Sequence, residues 1–359
     1  MKRTMKKLLT TLLIGFILPF FIGANIALSA EGDYSKTIKK EYNVEKDALL
    51  IVKNKYGKIH CNNWEKDVIS IEVIIKIDAP TEEKAAKILD KIDVKISGNS
   101  SEVSAVTEFG KGWCDEKICK DLSIDFFIYM PNTIELDIEH KFGELYIDET
   151  SGSARLSIGY GTMEVRKLLN DDNDLKIKFS EASVDYLGGG SLEINYSSFD
   201  LSETNDITVD SKFSSVSIEK LDACDIESQY DEFSIGALNS IILDSKFSDF
   251  KMSKLVDKAE IENQYGDIII KYVKGGFSEI NIENSFGGIE IGIDEEASYS
   301  IDAVVKFGSL SYPKNISTIS TEVEGYTTNI YNGTVGSDKN SSSRIIIESK
   351  NAGVSLTAW

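Results

Sequence analysis

Histidine is the scarcest chemically useful residue in this chain of 359: only His60 and His140 are present. An enzyme that relies on a histidine base, or a metal site built from several imidazoles, has almost nothing to work with. Basic residues are also in short supply, 39 Lys and Arg against 59 Asp and Glu, for a formal charge of −20. Phosphate recognition draws on clustered Lys and Arg, so the balance argues against a nucleic-acid surface and disfavours an anionic membrane face. Proline and cysteine number four each, while 42% of residues are hydrophobic. That is enough apolar material for a sizeable core, and it argues against disordered, collagen-like and polytopic membrane classes.

What is present begins with an address. Lys2, Arg3, Lys6 and Lys7 form a basic start, Leu8 to Ile22 an apolar stretch, and Ala24 to Ala30 a small-residue end. This is the pattern of a secretory signal peptide over residues 1–30, with cleavage expected after Ser29 or Ala30. An uncleaved anchor is the alternative, because the apolar stretch up to Leu28 has about the length of a bilayer span. No second stretch of that length follows, so the mature chain is expected outside the cytoplasm, in the periplasm, at the cell surface or in the medium, and not across a membrane. In that oxidising setting Cys114 and Cys119 are close enough for a small disulfide loop if the chain turns between them. Cys61 and Cys224 read as small buried hydrophobes, and the spacing of the four does not suit zinc.

The dominant signal is a repeat. Phe142, Tyr160, Phe179, Tyr196, Phe213, Tyr230, Phe247, Tyr265, Phe286 and Phe307 recur every 17 to 21 residues. Three and five positions after each comes an apolar or small pair, from Leu145/Ile147 through Phe233/Ile235 to Leu310/Tyr312, which is strand alternation with one inward face. A second alternating run precedes most of the aromatics, such as Leu192/Ile194 and Ile241/Leu243. Leu168, Leu187, Leu221, Leu238, Leu255 and Val273 add a third apolar position eight residues after the aromatic. No unit of this size covers its own apolar face, so the units must stack, each strand pairing with its equivalent about 4.8 Å away. The expected fold is all-β, a right-handed parallel β-solenoid with coils of about 17 to 19 residues. The hand comes from analogy with three-sided solenoids, not from the pattern.

Coil length could also be two units, about 35 residues. Lysine precedes Phe at 141, 178, 212, 246 and 306, whereas Gly159, Asn195, Gln229 and Gln264 precede Tyr. One unit per coil interposes a neutral residue between lysines, which favours the short coil. The row Glu232, Asp249, Asp267 speaks against it, since these acids would then be neighbours.

The ends depart from the repeat. Residues 31–135 hold one early unit around Tyr56 and an amphipathic pattern at 81–92 that predicts a helix, a cap on the first coils. Regular coils are expected over 136–312. Residues 313–359 form an insertion, with a polar surface loop at 332–343, and a closing coil at 344–359. This order resembles the bacterial family named "putative adhesin", β-solenoid proteins of unassigned function. The matching residues are Asn54-Lys55-Tyr56-Gly57-Lys58-Ile59 followed by Trp64, the 81–92 helix, Ile128-Tyr129-Met130-Pro131, the Gly-containing coils and the closing Ile345 to Leu356 unit. The resemblance spans about 45–359 and implies an exported, non-catalytic surface or envelope protein. It carries over no functional residues.

Three functions are therefore weighed. The first is an adhesin-like protein whose wall binds an envelope polysaccharide or protein. The second is a self-assembling or signalling envelope scaffold, which would need open strand edges at its ends. The third is a polysaccharide-active β-helix enzyme, for which the row Glu232, Asp249, Asp267 and the turn Asp171-Asp172-Asn173-Asp174 are the only cation or catalytic candidates. A solvated polar face accounts for both, and no cofactor is implied. The corner aromatics suit packing better than sugar stacking, and the Ser, Asn, Lys and Gly at most other outward positions suit a plain wall better than a cleft.

Overall fold

The computed structural model describes residues 25–28, 33–113 and 122–359. The expected signal peptide, apart from a strand at Asn25–Leu28, and the Cys114–Cys119 pair lie outside the described residues. The described chain is β throughout except for one α-helix, Glu82–Leu89, and a short 3-10 turn at Lys314–Ile316.

Its centre is a stack of parallel turns. Strand Ser198–Lys212 pairs along its length with Ser215–Gln229, Ser198 opposite Ser215 and Lys212 opposite Gln229. The same offset carries Ser215–Gln229 onto Glu232–Lys246. One aromatic unit is thus one turn, and the short coil is the right one. Lys212, Gln229, Lys246 and Gln264 lie side by side, so no two lysines are adjacent in this part of the row.

Burial follows the alternation and shows where it breaks. In Ser198–Lys212 the inward residues are Phe199, Leu201, Thr204, Ile207, Val209 and Ser211. Ser202 with Glu203, and Asn205 with Asp206, are consecutive outward pairs, and the inter-turn pairing skips Ser202 and Asn205. A strand can place two neighbours on one face only by bending, so these pairs mark two corners. The aromatic marks the third. Leu168, Leu187, Leu221, Leu238, Leu255 and Val273 are all buried at the short side between the first two corners. Thr204 replaces Leu there, its buried hydroxyl without a hydrogen-bond partner.

The first turn is not where chain order alone would put it. Leu49–Asn63 lies directly under Glu135–Thr150, with Lys55 opposite Lys141 and Cys61 opposite Ile147. The intervening residues fold back over the open side of that turn. Ser123–Met130 and Glu102–Phe109 run parallel to it, and Val68–Asp78 and Asp33–Asn43 extend the sheet antiparallel. The helix buries Ala85, Ile88 and Leu89, and the Thr81 hydroxyl accepts the Lys84 N–H as its N-cap. It ends at Leu89, short of the expected 92. Ile92 instead opens strand Ile92–Gly98, where it alternates inward with Val94.

At the other end the closing segment is intercalated. Arg344–Lys350 pairs on one side with Glu279–Ser285 and on the other with Tyr299–Lys306, all parallel. Beyond Tyr299–Lys306 lies the antiparallel hairpin Ser317–Glu324/Thr328–Val335. Part of the expected 332–343 loop is therefore strand. Phe307 is also displaced: it is not the turn next to Phe286, because the turn carrying Asn351 lies between them.

Candidate binding faces of the solenoid

Every aromatic corner has the same backbone. Tyr56, the aromatics from Phe142 to Phe307, and Asn351 all have φ between 52° and 66°. An L-residue in this left-handed region costs about 1–2 kcal/mol, but it turns the chain within one residue. Stacking offsets the cost. Ten rings from Tyr56 to Phe286 form one ladder, with neighbouring centroids 4.8 to 5.4 Å apart and planes within 15°. Each interior ring has both faces covered by its neighbours, and only its edge meets solvent. Sugars stack on ring faces, so along its length the ladder is a packing device, as the sequence reading favoured.

In five of the turns the residue after the ring braces the corner. Ser180, Ser197, Ser214, Asp231 and Ser248 occupy this column, and the side-chain oxygen of each accepts the backbone N–H of its counterpart one turn earlier, at 2.7 to 3.2 Å. Asp231 is the one acid among them. Burial pushes its carboxyl above the usual range, against the pull of hydrogen bonds from the Ser228 hydroxyl and the Ser214 and Gln229 N–H groups. A raised folded pKa means that the native state holds the proton more tightly than the unfolded chain. Its stabilising effect is complete below the ordinary carboxyl pKa and is lost as pH rises through the raised value. Asp231→Ser restores the residue of the column and should raise Tm by a few degrees at pH 7. The gain should shrink towards pH 4, and a gain that grows on acidification would contradict this assignment.

The acidic row is adjacent, as the short coil requires, with Glu232 opposite Asp249. Asp249 Oδ1 accepts the Asp267 N–H at 2.8 Å, and Asp267 Oδ1 accepts the Gly288 N–H at 2.7 Å. These carboxylates bond the next turn rather than converge on a common point. Among the described residues no group of three or more His, Cys, Asp or Glu is arranged to hold a metal ion. In the Asp171–Asp174 turn, Asn173 is buried, its amide donating to Asn170 O and Gly189 O while Oδ1 accepts the Ala154 N–H. His140 is buried against Gly57 O, and burial lowers its pKa. Cys61 and Cys224 are free and buried, their thiols pushed up to about 12, which leaves them inert.

The wall is not plain everywhere. Arg155, Asp174, Ser191, Thr208, Asp225 and Ile242 form one outward row over six turns. They line an open groove of about 730 Å³ together with Asp206, Ala223 and Ser240 in the neighbouring row. At one strand spacing per turn the trough is about 24 Å long. It exists because Gly189, Ala223 and Ser240 in that second row project so little. The sequence carried this signal in Gly188-Gly189-Gly190, but only the register shows that small residues on separate turns adjoin.

No family model matches the chain, and no curated protein matches it. Several solved structures are similar, among them these two. One is described as a "putative cell adhesion protein" from Clostridium sporogenes, at 10% identity and TM-score 0.21, covering 90% of this chain and 100% of that one. The other is described as a "putative adhesin" from Bacteroides fragilis, at 10% identity and TM-score 0.26, covering 89% of this chain and 96% of that one. At these scores the likeness carries no argument about function. Among the described residues no helix is long and apolar enough to cross a membrane.

Proposed function

We propose that the chain is an exported, non-catalytic, adhesin-like protein, a right-handed β-solenoid rod that binds an envelope or surface polysaccharide along its groove. The groove carries this reading. It runs across successive turns, is open at the surface and is lined mainly by hydrogen-bonding side chains, with the exposed Ile242 at one end. It sits on a rigid parallel stack, so its polar groups are held in register before any ligand arrives, which lowers the cost of binding. A polymer lying along the groove can then contact several turns at once.

The test incubates purified protein with its own cell-envelope polysaccharide, with and without Ca²⁺, and assays the pellet for protein and the supernatant for new sugar ends. Protein should pellet without product and without dependence on Ca²⁺. Thr208→Trp, which fills the middle of the trough from an exposed position, should reduce retention about tenfold, equivalent to about 1.4 kcal/mol, with an unchanged circular dichroism spectrum. New sugar ends would replace this reading with an enzyme, and undiminished retention of Thr208→Trp would remove the groove from it.

A further inference from the structure

The aromatic ladder is covered at one end and interrupted at the other. Around Tyr56 the rings of Phe109 and Trp113 pack at 6.0 and 5.7 Å. Beyond Phe286 the next corner residue is Asn351, and the one after it is Phe307. Their succession is fixed by backbone bonds, Phe286 N–H to Lys350 O at 2.9 Å and Asn351 N–H to Lys306 O at 2.8 Å. All three share the left-handed corner, at φ of 62°, 60° and 54°. One rung therefore lacks its ring, and Phe286 and Phe307 stand two strand spacings apart, about 9.6 Å, with a short amide between them. Phe286 and Phe307 are 50% and 61% exposed, whereas Phe142, Phe179, Phe213 and Phe247, each with a ring on both sides, are 44–47% exposed.

Two further features adjoin this gap. Two residues after the corner, where other turns carry Glu181, Glu232 or Asp249, these turns carry Gly288, Gly353 and Ser309. A Cβ at Gly288 would meet only Asp267 Oδ1, at 3.4 Å, and one at Gly353 only Ser309 O, at 3.9 Å. The backbone does not demand glycine at either position, and the result is a shelf without side chains beside the gap. On its other side Lys350 and Lys306 are direct neighbours, and both line a cavity of about 180 Å³ with Ser285 and Glu348. Neither lysine has an ion-pair partner within 4.0 Å among the described residues. The other adjacent pair, Lys55 and Lys141, differs, since Lys141 bonds Glu139 at 3.0 Å.

We propose that this missing rung is a binding slot for one pyranose ring bearing a carboxylate, the chain-end sugar of an acidic glycan. The proposal rests on the polysaccharide-binding reading but uses a different site from the groove. The C–H faces of the sugar lie against Phe286 and Phe307, taking the place of the absent ring. Its carboxylate meets the ammonium groups of Lys306 and Lys350 in charge-assisted hydrogen bonds. The Asn351 amide offers a donor and an acceptor to a hydroxyl at the base. The slot is one rung wide, and Glu262, Glu283 and Glu348 line the same cavity as the two lysines, so a continuous polyanion is repelled while a single terminal unit is admitted.

The test titrates the full chain with glucuronate, glucose and benzoate by ligand-observed NMR, alongside Asn351→Phe and Lys306→Gln/Lys350→Gln. Glucuronate should bind with a Kd on the order of 1 mM, about tenfold more tightly than glucose, and more tightly than benzoate. The double glutamine variant should lose the preference over glucose. Asn351→Phe completes the ladder, so it should abolish glucuronate binding while raising Tm, which separates loss of the slot from loss of the fold. Glucose binding as tightly as glucuronate, benzoate binding more tightly, no glucuronate binding, or unchanged binding by Asn351→Phe would each overturn the proposal. Thr208→Trp should keep glucuronate binding, and Asn351→Phe should keep at least part of the retention by whole polysaccharide. Failure of the slot with retention intact therefore leaves the groove reading standing.

Discussion

Alanine at Gly287 is expected to destabilise the solenoid by about 3 kcal/mol or more, whereas alanine at the adjacent Gly288 should leave stability within about 0.5 kcal/mol of the parent. A Cβ on Gly287 would lie 1.8 Å from Gly266 O and 2.5 Å from its carbonyl carbon. Both are backbone atoms of the preceding turn, so no rotamer change relieves the clash. The Gly287 carbonyl is also held, by the Asn284 amide at 2.6 Å, which keeps the corner from swinging away. Relief then requires the corner to rebuild with the different backbone of the turns that carry serine or Ala352 in this column, or the two turns to separate, at the expense of the bonds that flank them. Gly288 points its hydrogen outward, where there is room. Guanidinium unfolding of the two variants reads the contrast directly, and a Gly287→Ala midpoint close to that of Gly288→Ala would show that the turns are not packed as tightly as described.

Tyr230→Ala should cost about 2 kcal/mol, the loss of two stacked contacts worth roughly 1 kcal/mol each. Its ring lies 4.9 Å from Phe213 and 4.8 Å from Phe247, within 4° of parallel to both. The backbone adds a second, separable effect. Alanine keeps the left-handed penalty and loses the stack that offset it, while glycine loses the stack and the penalty together. Tyr230→Gly should therefore be the more stable of the two by about 1 kcal/mol, the reverse of the order found in ordinary strands. Tyr230→Phe should be nearly neutral, because alternate rungs are already Phe. Thermal melts of the three variants test both parts, and an alanine variant more stable than the glycine variant would contradict the assigned corner geometry.

The sequence made the interior legible because a parallel stack repeats its inward positions at a fixed interval. Leu168, Leu187 and Leu221 could be placed in the core from spacing alone, and the Lys/neutral alternation before the aromatics was enough to choose the short coil. What spacing could not convey was the conformation at the corner. A recurring aromatic looks the same whether its ring is inside or outside, and the positive φ that puts Tyr230 on the surface leaves no separate mark in composition. The acidic row was misleading for a related reason: Asp249 and Asp267 bond backbone N–H groups of the following turn, a role that depends on register and not on the acids being close in sequence.

The ends were less legible because their pairing partners are remote in the chain. Nothing local to Phe307 reveals that Arg344–Lys350 lies between it and Phe286, and the spacing of 21 residues extends the ladder one rung too far. The groove and the slot share this origin. Each is made by small or short residues on turns that meet only after folding, Gly189 beside Asp206 and Ala223 in one case, Asn351 between Phe286 and Phe307 in the other.

The intercalated closing strand also bears on synthesis. A solenoid made from its amino end can zip up turn by turn as the ribosome proceeds, because each new turn needs only the one before it. That order fails here at Tyr299–Lys306, whose parallel partner, Arg344–Lys350, is made later. At translation rates of about 5–20 residues per second the wait lasts a few seconds. During it the outer edge of Glu279–Ser285 presents unpaired N–H and C=O groups to any passing strand. The nascent protein thus carries an open strand edge again just before it is finished, and a chaperone that holds this edge would improve its yield.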